Sequence, residues 1–377
     1  MAAEGLWSSS VDGKRCSNLF SSFFLLQNPV TLIVFVCLGL GLYPQKNTVL
    51  KMPAKNKILA CIVLTNYDGQ RKGYLDRNLS SFERNLRRPY LKDIVRIFAV
   101  DDGSKDNSME LLKRFRDEVG HDNAEILKTE NIKAVRSLNH GVRKAIESYP
   151  ECKYVITFDH DVCLSDDFFE VTIRCAEQSD EKMGMFASNQ YLLNDFPNTR
   201  THRSKGHYYT TSGACKDRDF KDSASNQKKE ILCACLSGCL IKTEIFDKIG
   251  GLPNEEYIHY YTCPEIGFRV RLGGWSVGFL ENAIMWHQEP MWTEDKIPIM
   301  ERNRIWNILR FFPEDKIDEA LRNYIAERRS GNPQLLSTEK RQEYVKEAKD
   351  NRYPAPSNAN EERKTKLYNG CIKPNQV

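Results

Sequence analysis

The 377-residue chain lacks the glycine signatures of the common nucleotide folds, having neither G-x-G-x-x-G nor G-x-x-x-x-G-K-[ST]. Dinucleotide binding and a P-loop are therefore not indicated. It has no block of Lys and Arg, and a formal net charge of +4 is small for this length, so no nucleic-acid groove is expected. Twelve cysteines occur without one C-x-x-C pair, which removes the usual frame of a zinc site. Cys233, Cys235 and Cys239 crowd together, with Cys215 and Cys263 at a distance. An oxidising compartment would allow a disulfide among Cys215, Cys233, Cys235 and Cys239, and the sequence does not choose the pairing. Cys61, Cys152 and Cys163 flank or sit in expected strands and read as small buried hydrophobes.

Long apolar runs are also scarce. One charge-free stretch, 17–43, has the length to span a bilayer, with Lys14 and Arg15 just before it. Gln27, Asn28 and Pro29 interrupt it, and no small-residue cleavage site follows its apolar core. The expected layout is an N-terminal tail at 1–16, a membrane anchor or signal segment at 17–43 and a linker at 44–56. A catalytic-sized domain at 57–330 and a polar tail at 331–377 complete it. The expected location is membrane-associated and single-pass, with an ER or Golgi lumenal domain favoured. A cytosol-facing orientation stays open, because Lys46, Lys51, Lys55 and Lys57 compete with Lys14 and Arg15. The sequon Asn78-Leu79-Ser80 fits the lumenal side.

What is present begins with Ile58–Thr65, a continuous apolar run that predicts a strand covered on both faces. A helix over 71–85, a strand over 94–100, a helix over 107–119, a short strand over 124–128 and a helix over 135–147 follow. Tyr154–Phe158 is the next strand, closing on Asp159-His160-Asp161. Strand and helix in alternation predict an α/β fold with a mostly parallel central sheet flanked by helices. Ligands of such sheets bind beyond the carboxyl ends of the strands. Three of those ends carry polar loops: Thr65-Asn66-Tyr67-Asp68, Asp101-Asp102-Gly103-Ser104 and Asp159-His160-Asp161. Asp159 and Asp161, two apart, would share a side of an extended chain and suit a hard divalent cation shared with a phosphate.

These loops, together with Asn139-His140-Gly141-Val142, resemble the nucleotide half of family 2 glycosyltransferases, and Asp159-His160-Asp161 falls where that family's metal motif is expected. The resemblance implies a single catalytic domain of the GT-A type, Rossmann-like, moving a sugar from a nucleotide-sugar. Thr65 and Tyr67 would line the base pocket, Asp102 would contact base or ribose, and Asn139 belongs to the nucleotide-sugar motifs. Asp161 would bind Mn²⁺ or Mg²⁺, with Asp159 on the ribose or a metal-bound water. Gly238 through Gly251 resembles the family's acceptor-side signature, and His287 its late metal ligand.

The chain departs from the family where a Glu-Asp pair is expected, because Thr262-Cys263 stands there. An inverting transfer needs a carboxylate to take the acceptor proton. Glu265 is the nearest acidic position and the expected base, with Glu255 and Glu256 as other options. Glu265 is also placed to be a helical partner of Arg269. The function expected is a metal-dependent inverting glycosyltransferase acting on a glycan, lipid or protein acceptor hydroxyl. The alternatives are a nucleotide-binding member without catalysis and a nucleotidyltransferase. The latter lacks its expected glycine-rich basic loop after the first strand.

Overall fold

The computed structural model describes residues 57–197, 201–217, 231–288, 294–327, 336–351, 354–356 and 359–373. The expected anchor at 17–43 lies outside the described residues. Among those described, no helix is long and apolar enough to cross a membrane.

The nucleotide half runs β1 (Ala60–Asn66), α1 (Leu75–Leu86), α2 (Pro89–Ile94), β2 (Val95–Asp101), α3 (Ser108–Val119), β3 (Ala124–Lys128), α4 (Ala134–Ser148) and β4 (Tyr154–Asp159). Strands β3, β2, β1 and β4 lie side by side and all parallel. The apolar run that forms β1 is buried along its whole length. Ile62 and Leu64 pack into one core cluster while Cys61 and Val63 pack into another, so alternate side chains serve opposite faces of the sheet. Gly141 lets α4 lie close on this sheet, since a Cβ there would come within 2.8 Å of Val100 and closer still to Val63.

The chain then adds β5 (Val162–Leu164), α5 (Phe168–Glu177), β6 (Met183–Leu192), β7 (His202–Ser204), β8 (His207–Thr210), β9 (Cys215–Asp217) and β10 (Cys239–Lys242). Strand β10 inserts between β4 and β6, antiparallel to both. After α6 (Thr262–Leu272), the long strand β11 (Ser276–His287) pairs parallel with β6 and antiparallel with β5. The result is a mixed, mostly parallel nine-stranded sheet, in the order β3-β2-β1-β4-β10-β6-β11-β5 with β7 on β6. The apolar run 233–241 reads as one strand in the sequence, but it forms a strand only from Cys239, with Cys233 making an isolated bridge to His207. At Gly238 the backbone has φ +79° and a Cβ would strike Met285.

Helices α7 (Ile297–Phe311), α8 (Glu314–Ala326), α9 (Thr338–Asp350) and α10 (Glu361–Cys371) and strand β12 (Ile372–Lys373) close the fold. They build a third core with α6, in which Phe268, Phe311, Phe312 and Tyr324 meet Tyr344, Val345, Ala348, Leu367 and Cys371. β12 pairs with β8. The segment expected as a loose polar tail is thus folded through much of its length. Each of its helices buries only a few residues, Arg341 and Lys364 among them, so its composition reads as polar. The sequon is also corrected. Asn78 is fully buried in α1 and donates to the Val162 carbonyl at 3.2 Å, so it is closed to glycosylation in the folded chain.

Candidate metal and donor site

Strand register brings the polar loops together. Thr65 lies opposite Val100 on one side and Asp159 on the other, and Asn66 lies opposite Asp101. The Thr65 hydroxyl donates to Asp159 Oδ1 at 3.1 Å, and Asn66 Nδ2 donates to Asp101 Oδ1 at 2.7 Å. Ser104 ties the first two loops, accepting from the Asp68 backbone N–H at 2.9 Å and donating to Asp101 at 2.5 Å. Tyr67, just beyond, is 36% exposed, a large aromatic open to solvent beside this edge.

Asp159, Asp161 and His287 offer one ligand atom each within 4.8 Å of one another. His287 arrives at the end of β11, whose pairing with β5 sets it opposite Val162, next to the motif. Its Nε2 stands 3.4 Å from Asp161 Oδ1, and its Nδ1 stands 3.3 Å from Gln190 Oε1. Gln190 Oε1 also accepts from Arg203 at 2.6 Å, while its amide donates to the Ser237 carbonyl at 2.8 Å. Ser237 Oγ in turn accepts the Asp159 backbone N–H at 3.0 Å. The site therefore has a built outer layer of Gln190, Arg203 and Ser237, which orients the imidazole and the first carboxylate.

The protonation pattern follows from crowding. Asp159 is exposed at the mouth of the cluster, yet the protein packed around it and the adjacent Asp161 charge push its carboxyl up, against the pull of His287. Burial also acts to raise Asp161, but the His287 charge and hydrogen bond outweigh it and hold this carboxyl low. Burial and Arg203 act to lower His287, and Asp161 and Cys235 overcome them, bringing it to about 9. Burial lowers His160.

The donor set fits a divalent cation. Two carboxylates and an imidazole suit manganese-like ions. Asp161 Oδ1 is buried and faces the His287 imidazole, with Asp159 close by, as ligand atoms converging on a cation would.

Other expected residues have structural partners, Asp102 on the same edge with its N–H on the Asn66 carbonyl at 2.8 Å. The Asp102 carboxylate accepts from Thr129 Oγ1 at 2.7 Å and from the backbone of Ile132 and Lys133 at 2.7 and 3.0 Å, so it closes the turn after β3. Asn139 is buried and donates to the Pro253 carbonyl at 2.7 Å and to Glu255 at 3.2 Å, linking α4 to the segment before α6. Glu265 is not one of the grouped ligands. It is fully buried in α6, 2.9 Å from Arg269 and 3.3 Å from Arg310, with Asn254 N–H at 3.5 Å. Two guanidinium groups hold this carboxylate in the interior.

The segment before α6 is strained. Ile258, Tyr260 and Tyr261 all have φ between 56° and 59°, a costly region for a β-branched or aromatic residue. Asn303 of α7 holds it by donating to the carbonyls of Tyr257, His259 and Tyr260 at 2.7, 2.7 and 3.0 Å. Sequence reasoning did not single out Gln190, Ser237 or Asn303. Their roles depend on strands and helices distant in the chain, and no local motif marks them.

A mixed sheet of this order, with a carboxylate–carboxylate–imidazole cluster at its edge, is the frame of the GT-A glycosyltransferases. The chain belongs to glycosyl transferase family 2, whose profile matches residues 61–250. No curated protein matches it by sequence. Among solved structures it is similar to S. aureus TarS 1-349 in complex with UDP, at 13% identity over 76% of this chain and 78% of that one, with a TM-score of 0.51. It is also similar to GalNAc-T7 with UDP, GalNAc and Mn²⁺, at 12% identity over 80% of this chain and 59% of that one, with a TM-score of 0.53. At such identities the likeness is one of fold.

Proposed function

We propose that this chain transfers a sugar from a nucleoside-diphosphate sugar to an acceptor hydroxyl, with inversion, in a reaction that depends on a divalent cation. The observation that carries the reading is the convergence of Asp159, Asp161 and His287 beside the Thr65–Asp159 hydrogen bond at the carboxyl edge of the sheet. Asp161 and His287 would hold the cation, with Asp159 as the third donor. When bound, manganese or magnesium supplies charge neutralisation for the departing diphosphate. The chain's own groups do the rest. Thr65 fixes Asp159, Tyr67 offers a face for the base, and Arg203, held on Gln190, adds a positive charge beside His287. TarS with UDP and GalNAc-T7 with UDP and Mn²⁺ support the choice of nucleotide and ion.

The acceptor, a glycan, lipid or protein hydroxyl, would approach from the α6 side. Attachment to an ER or Golgi membrane through 17–43 belongs to this proposal. A second reading, donor binding without turnover, is favoured by one observation: Thr262-Cys263 stands in place of the acidic pair and Glu265 is sealed in ion pairs.

The test is hydrolysis and transfer from a panel of UDP- and GDP-sugars with Mn²⁺, alongside melting shifts with the nucleoside diphosphates. Metal-dependent shifts with turnover support transfer. Shifts without turnover across the panel support the second reading, and no metal-dependent shift rejects both.

A further inference from the structure

We propose that Cys235 and Cys263 form a reversible disulfide, which staples the backbone passing behind the metal cluster to the first turn of α6. The Leu236 N–H donates to Cys263 Sγ at 3.3 Å, so Cys263 lies against the residue that follows Cys235. The two thiols themselves are in hydrogen-bond contact. Both residues are partly exposed, whereas Cys233 and Cys239 are fully buried. Cys233 has its own neighbour in Cys215. The favoured bridge therefore joins a residue of the 233–239 cluster to the position where the family would carry an acidic residue.

The bridge matters because of what the intervening backbone holds. The Leu236 carbonyl accepts from Thr157 Oγ1, and Ser237 accepts the Asp159 N–H at 3.0 Å and receives the Gln190 amide on its carbonyl at 2.8 Å. Gln190 in turn contacts His287. A link from Cys235 to α6 would fix this wall of the site and remove two thiols from its acceptor side.

The chemistry is thiol–disulfide exchange with a low-molecular-weight disulfide such as oxidised glutathione. One cysteine sulfur attacks that disulfide, forming a mixed disulfide and releasing one small thiol. The second cysteine sulfur then attacks the protein-side sulfur and releases the other small thiol. The two cysteines lose two electrons and two protons, and both appear on the two released thiols. This bridge does not depend on the sugar-transfer reading.

The full chain is equilibrated with oxidised glutathione, its free thiols are alkylated, and it is cut with trypsin and mapped without reduction. Peptide 230–242, which holds Cys233, Cys235 and Cys239, should appear linked to peptide 249–269, which holds Cys263. The link should vanish on reduction and in Cys235→Ser, and persist in Cys239→Ser. The oxidised protein should melt several degrees above the reduced one, and Cys263→Ser should abolish that difference. Mapping of the natural chain needs no variant, so it stands even where a variant fails to fold. Both cysteines alkylated after full oxidation, a link surviving Cys235→Ser, or stoichiometric zinc on unlinked thiols would overturn the proposal.

Discussion

At the scale of single residues, Asp161 and Glu265 are both carboxylates with cationic neighbours, and burial gives them opposite meanings. Asp161 turns a buried oxygen toward His287, with Asp159 as a further donor beside it. Asp161→Ala should therefore abolish the manganese-dependent stabilisation by UDP, which at a hundredfold excess over Kd amounts to about 2.7 kcal/mol in the natural chain. Thermal melts with and without the ion check this, and an undiminished shift would remove Asp161 from the metal site. Glu265 satisfies Arg269 and Arg310 in the interior. Glu265→Gln leaves both guanidinium groups short of a counter-charge, so it should cost about 3–5 kcal/mol in urea unfolding. A variant that kept full stability while losing turnover would restore Glu265 as a base. The metal motif was legible in the sequence because a buried apolar strand runs straight into two aspartates, although β4 ends at Asp159 and it is the turn before β5 that places Asp161. Burial of Glu265 was not legible, because the second guanidinium comes from α7, 45 residues further on.

At the scale of elements, α7 stabilises a stretch of backbone that would otherwise relax. One side-chain amide, that of Asn303, caps three carbonyls between Tyr257 and Tyr260. Asn307 donates to the Tyr261 carbonyl at 3.2 Å. Each buried acceptor left unsatisfied costs about 1–3 kcal/mol. Asn303→Ala should accordingly lower stability by at least about 2 kcal/mol and raise amide exchange in 257–262 above that of β1. Equal protection in both regions would show that the strained turn holds itself. The first four strands and three of the intervening helices were readable from apolar period alone, with ends shifted by a residue or a few. β10 was read too long, because apolar composition does not report the turn at Gly238.

At the scale of the whole molecule, the C-terminal helices share a core with α6 and α7. Ending the chain before Leu336 would uncover Tyr324, Phe311 and Phe312, a face covered by Tyr344, Val345 and Leu367 in the full chain. The shortened protein should bind a hydrophobic dye and unfold at lower urea than the full chain. Unchanged unfolding would show that α9 and α10 are dispensable. Their place in the core escaped the sequence reading because a helix that buries one residue per turn looks polar throughout. The position of β10 carries a different consequence, for the order in which the chain can fold. Its residues 239–242 fill the space between β4 and β6, so during synthesis the outer edge of β4 waits some eighty residues for its partner. Until then the nascent nucleotide half presents an open, apolar strand edge, the kind that pairs with other chains. The sheet is therefore complete only once this late, short strand has reached an early one.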